Sequence, residues 1–124
     1  MEQALLHLIG DYITQTDWMA NEKTKRTWAA FCHATVYSLP FWLLTNSPLA
    51  LFVIWFSHLI IDRFRLARYV VFAKNWTTNQ SLTWADCSGT GYPSETPPWL
   101  AVWLMIIADN TMHITINYLA IRWL

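Results

Sequence analysis

Charge is scarce in this chain. Charged residues make up 13% of its 124 positions, about half the share of an ordinary soluble domain. Its eight basic and eight acidic side chains cancel, so the net charge points neither to nucleic acid nor to an acidic substrate. Cysteine is equally sparse. Cys32 and Cys87 stand far apart, which excludes a disulfide framework and a zinc-finger spacing. Cys32 falls in an apolar stretch and is expected as a buried thiol, Cys87 in a loop. No basic region precedes the first apolar residues after Met1-Glu2, unlike a cleavable signal peptide. No internal repeat is visible. No lysine or arginine falls deep inside an apolar stretch either, so Arg63 and Arg65 could hold a phosphate only at an interface.

Apolar residues fill 55% of the chain, and nine of them are tryptophans, amphipathic rings of the kind that gather at membrane surfaces. The length allows one domain. Four apolar segments are expected as helices, at about 3–20, 27–44, 48–66 and 98–124, with a loop over 67–97. Pro48 and Pro98 stand where a first helical turn tolerates proline. The last three segments are long enough to cross a bilayer at about 1.5 Å per residue. The first is interrupted by His7, Asp11 and Gln15, which line one stripe. Lys23, Lys25 and Arg26 follow the first segment, and Arg63, Arg65, Arg68 and Lys74 follow the third. If both clusters face the cytoplasm, the expected fold is all-α: a four-helix transmembrane bundle in the bacterial inner membrane. Its termini would lie outside, and the long loop between helices 3 and 4 would be cytoplasmic. Within that loop, 65–75 alternates basic and apolar residues and suits a helix on the membrane surface.

One motif recurs. His7-Leu-Ile-Gly-Asp11 and His58-Leu-Ile-Ile-Asp62 share a spacing of four, and Asp109-Asn-Thr-Met-His113 is that spacing reversed. Residues four apart share a helix face, so three helices each present one histidine and one aspartate, with His33 on a fourth. A single such pair would be an ordinary surface pair. Ionisable groups in apolar spans cost several kcal/mol each unless paired or metal-bound, so this concentration points to a metal or proton-handling site. Depth counting at about 1.5 Å per residue groups Asp11, His33, His58, Asp62 and Asp109, with His7 and His113 further out. Imidazole with carboxylate suits zinc, manganese or iron(II) better than calcium. Asp11 or Asp109 is the expected general base. Gln15 and Asn110 are expected to orient carboxylates by hydrogen bonds, while Asp17 and Glu22 read as surface charges.

These residues carry a resemblance. His7-Leu-Ile-Gly-Asp-Tyr-Ile-Thr-Gln15, then Thr16-Asp-Trp-Met-Ala20 and Lys23, then His33-Ala-Thr-Val-Tyr37, His58 to Asp62 and Asp109 to His113, resemble small bacterial and phage membrane proteins of domain of unknown function 3307. That family often has glutamine where Asn110 stands. More distantly the layout is similar to bacterial membrane-bound metal-dependent hydrolases. The resemblance implies a metal-dependent hydrolase, the short Trp-rich form suggests a phage origin, and a site in the inner half of the bilayer suits a lipid or lipid-linked substrate. Two other readings stay open. One is a phage-encoded modulator of a host membrane protein complex, with a structural polar core. The other is a small bundle conducting ions or protons, which with so few helices would need homo-oligomers.

Overall fold

The computed structural model describes residues 1–124. It is all-helical, with seven α-helices, one π-helical turn and one 3-10 turn. These fall into two compact units: Met1–Phe64 with His113–Leu124, and Arg65–Met112.

In the first unit α1 spans Glu2–Leu8 and passes into a π turn, Ile9–Ile13. There the Thr14 N–H reaches back five residues to the Ile9 carbonyl at 3.0 Å, and the Thr14 hydroxyl donates to the Gly10 carbonyl at 3.0 Å. α2, Asp17–Glu22, starts at Thr16, whose hydroxyl accepts from the Met19 N–H at 3.3 Å. Extended backbone at Arg26 then opens α3, Thr27–Ser38. α3 buries Ala29, Ala30 and Ala34, small side chains that let it pack closely on α4. It ends ahead of Pro40, which has no N–H for the next helical bond, and Leu39–Leu43 continues as the 3-10 turn. α4, Pro48–Phe64, has proline at its first position, where no N–H is needed. Just before it, the Ser47 hydroxyl accepts from the Ala50 N–H at 3.3 Å and donates to the Leu124 carbonyl at 3.0 Å. Ala50, Ile54, His58 and Asp62 recur every four residues on the buried face. Tyr37, Phe41, Ala50, Ile54 and Ala120 form the apolar core.

The second unit is not a plain loop. Its α5, Ala67–Thr78, falls close to the surface helix expected over 65–75. The short α6, Trp84–Cys87, lies where the sequence suggests only loop. α7 runs continuously over Pro98–Trp123 and belongs to this unit as far as Met112. Trp84 stacks on Tyr69 with ring centroids 4.5 Å apart and meets Phe72 edge-on. The stretch 88–92 is fastened by side chains. Arg65 Nη2 donates to the Gly89 carbonyl at 2.9 Å, Arg68 Nη1 to the Ser88 carbonyl at 3.0 Å and Asn75 Nδ2 to the Gly91 carbonyl at 3.0 Å. Lys74 Nζ donates to the Tyr92 hydroxyl at 2.9 Å. Three of the cations expected at lipid headgroups thus hold this unit together. Both cysteines are free; Cys87 is buried on α6, whereas Cys32 is only half-buried.

The four-span bundle is corrected by the helix lengths. The first expected helix is broken by the π turn and by the non-helical 14–16, and the second is cut to 12 α-helical residues before Pro40. α4 has 17 residues and carries His58, Asp62 and Arg63 near its end. Only α7 is long and apolar enough to cross a membrane, and 11% of its most apolar window is buried.

Gly91 generates a prediction. Its φ of 86° lies in the left-handed region, and a Cβ there would meet the Arg68 carbonyl and lie 2.7 Å from Val71 Cβ. Gly91→Ala should destabilise the second unit by about 1–3 kcal/mol. Limited proteolysis within 79–97 should therefore run faster in the variant than in the parent.

Candidate metal centre

The donors reach the centre from three different elements. Asp11 projects from the π turn, His33 from α3, and His58 and Asp62 from successive turns of α4. A π turn re-aims its side chains relative to a regular helix, and such turns recur at functional sites. Here it buries Asp11. The turn lies close to Tyr37 because residue 10 is glycine: a Cβ would sit 2.5 Å from Tyr37 Cδ2.

Four donor atoms crowd around one point. His33 Nε2 lies 2.9 Å from His58 Nε2, 3.1 Å from Asp11 Oδ1 and 3.1 Å from Asp62 Oδ2. His58 Nε2 lies 3.3 Å from each of the same two oxygens. All four residues are buried. Donors bound at about 2.0–2.1 Å stand about 3.3 Å apart in a tetrahedral shell and about 2.9 Å apart at right angles in an octahedral one. The observed spacings fall in that range. At 2.9 Å the two Nε2 atoms cannot both carry a proton toward each other, so the imidazoles leave lone pairs facing the same point as the carboxylate oxygens. His33 Nδ1 is also buried without a hydrogen-bond partner.

A ring of further groups backs these donors. His7, fully buried, has Nδ1 3.6 Å from Asp11 Oδ2 and 2.9 Å from the Tyr37 hydroxyl. His113 Nε2 lies 3.3 Å from Asp62 Oδ1, and its Nδ1 lies 3.2 Å from His58 Nδ1. His7 and His113 therefore touch the carboxylates from behind and lie outside the four-donor group. Tyr37 is a site residue that spacing does not single out, although it stands one helical turn after His33. Its ring stacks on His58 with centroids 3.6 Å apart and planes at 12°. Its hydroxyl accepts from Asn117 Nδ2 at 2.6 Å.

Lys23 is the other residue that sequence reasoning places elsewhere. Its ammonium donates to Asp62 Oδ2 at 2.7 Å and lies 3.3 Å from His33 Nε2. The neighbouring cations turn outward: Lys25 and Arg26 both pair with Glu22, at 3.3 and 3.0 Å. Arg63 donates to the Thr24 carbonyl at 2.7 Å and to the Thr27 hydroxyl at 3.3 Å, fastening the turn that carries Lys23. Of the remaining expected residues, Gln15 has its Oε1 buried without a hydrogen-bond partner. Asp109 and Asn110 are half-buried on α7 and belong to the second unit. Asp17 is exposed, as expected.

Gly10→Ala should displace the Tyr37 ring from His58 and cost about 1–3 kcal/mol, as overpacking does. The melting temperature should fall together with the near-ultraviolet circular dichroism of the stacked tyrosine. An unchanged aromatic signal would contradict the close contact.

No curated protein and no solved structure matches the chain. A family model covers residues 1–88, a stretch that includes Asp11, Lys23, His33, His58 and Asp62. The chain belongs to the family described as protein of unknown function (DUF3307).

Proposed function

We propose that this protein holds a divalent metal through Asp11, His33, His58 and Asp62, and that the ion is the centre of a membrane hydrolase acting on a lipid or lipid-linked phosphate. The observation that carries this reading is the mutual spacing of the four donor atoms, between 2.9 and 3.3 Å where measured against the two Nε2 atoms. An ion bound there supplies Lewis acidity, polarising a phosphoryl oxygen and activating water. Imidazole and carboxylate donors of this kind suit manganese, iron(II) or zinc. Asp11 Oδ2, beside His7 Nδ1 at 3.6 Å, is the oxygen suited to take a proton.

The outer surface supports a lipid setting. Trp28, Trp42, Leu43, Trp99, Trp103 and Trp123 are all more than 60% exposed, and large apolar areas of this kind are unusual on a protein surrounded by water. α7 supplies a helix of spanning length. A recess of about 350 Å³ lined by Val53, Ile116, Leu119, Ala120, Trp123 and Leu124 has an almost wholly apolar wall and suits a hydrocarbon chain. The competing reading, a polar core without metal in a modulator of a host complex, draws on the Lys23–Asp62 ion pair.

Metal content and thermal melting, measured side by side on detergent-purified protein, separate the two. The wild type should carry stoichiometric metal. His58→Ala should lose it, His58→Cys should retain part of it as a zinc ligand, and Asp17→Ala should match the wild type. If His58→Ala keeps the wild-type metal content and only loses stability, by about 1–2 kcal/mol, the polar-core reading replaces this one.

A further inference from the structure

The ammonium of Lys23 occupies an unusual place. It bonds to Asp62 Oδ2 at 2.7 Å, the same oxygen that lies among the four metal donors, and it stands 3.3 Å from a second donor, His33 Nε2. Its side chain is only 18% exposed, so the charge lies against the centre rather than in solvent. An ammonium so placed stands where an anion brought to the same centre would meet it, and lysine binds such an anion as a point charge. A bound ion would compete with the ammonium for Asp62 Oδ2, which would turn an N–H of Lys23 toward an anion at the centre. The long, flexible stem allows that movement, while Arg63 keeps the supporting turn in place through Thr24 and Thr27.

We propose that Lys23 is the anion-binding residue of this centre, exchanging Asp62 for an oxygen of a phosphate group that also contacts the metal. A phosphate is the anion that best fits an ammonium and a divalent ion side by side, because it presents several charged oxygens and lysine binds it as a point charge. The inference rests on the metal reading of the four-donor cluster. It names a cation, other than Arg63 and Arg65, placed to hold a phosphate at the centre itself.

The test uses the full chain in detergent with manganese and inorganic phosphate as probes, following both by titration calorimetry. Wild type should bind manganese, and the manganese-loaded protein should bind phosphate. Lys23→Met should bind manganese at least as tightly, since a competing positive charge is gone. Its phosphate affinity should fall about tenfold or more, the usual loss for one charge-assisted hydrogen bond. Lys23→Arg should restore most of that affinity. Competition with mixed micelles containing phosphatidic acid, against phosphatidylcholine alone, then identifies the source. Displacement of phosphate assigns a lipid headgroup, and its absence assigns a soluble phosphate. Manganese binding with equal phosphate affinity in wild type and Lys23→Met would overturn the role of Lys23 and leave the metal centre standing. So would loss of manganese from Lys23→Met, which makes the lysine a structural part of the centre. Failure of the wild type to bind manganese, zinc or iron(II) overturns the metal reading itself, and this inference with it.

Discussion

Two carboxylates and two imidazole nitrogens meet at one buried point, and the packing of the first unit is arranged around that meeting. Charges and lone pairs brought this close in an apolar surrounding repel one another unless cations or protons sit between them. The unit therefore surrounds them with firm backing. His7 and His113 hold the outer oxygens of the two carboxylates, Tyr37 lies flat on His58, and Asn117 fixes the Tyr37 hydroxyl. The apolar core of Tyr37, Phe41, Ala50, Ile54 and Ala120 shares Tyr37 with this assembly. Core packing and donor geometry are consequently coupled through one aromatic ring.

Much of the donor set is legible in the chain because helical spacing is a short-range property. His58 and Asp62, four apart in an apolar run, must share a face of α4 whatever the rest of the fold does. The spacing His7 to Asp11 is less transparent, because the π turn begins between them and no propensity marks it. Gly10 is the one local hint, and its meaning appears only when Tyr37 is seen against it. The expected four spans fail for a related reason. Hydropathy registers the apolar run through Thr27–Leu44 but does not register that Pro40 ends the α-helix within it.

Lys23 shows a different limit. Its Cα lies outside every apolar segment, among other basic residues, and by position it reads as a surface charge. A four-carbon stem can carry an ammonium well away from its own backbone, and which of three neighbouring cations turns inward depends on tertiary partners. Glu22 engages Lys25 and Arg26, and Arg63 grips the adjoining turn. The Glu22 pairs, three and four residues apart, are legible in the local pattern, but the grip of Arg63 and the inward turn of Lys23 toward Asp62 are long-range contacts that it does not contain.

The π turn also bears on how this family can vary in length. It accommodates one residue more than a regular helical turn would hold, so deleting any one residue of 9–13 would let the segment relax to an ordinary α-helix. Such a deletion would leave α1 nearly in register with the chain beyond Thr14, because the wide turn absorbs the extra residue, but it would remove the turn that aims Asp11 at His33. Length polymorphism should therefore be confined to stretches such as 79–83, which are exposed for the most part and free of donors. The spacing from His7 to Thr14 should persist even where the identities of the intervening apolar residues drift.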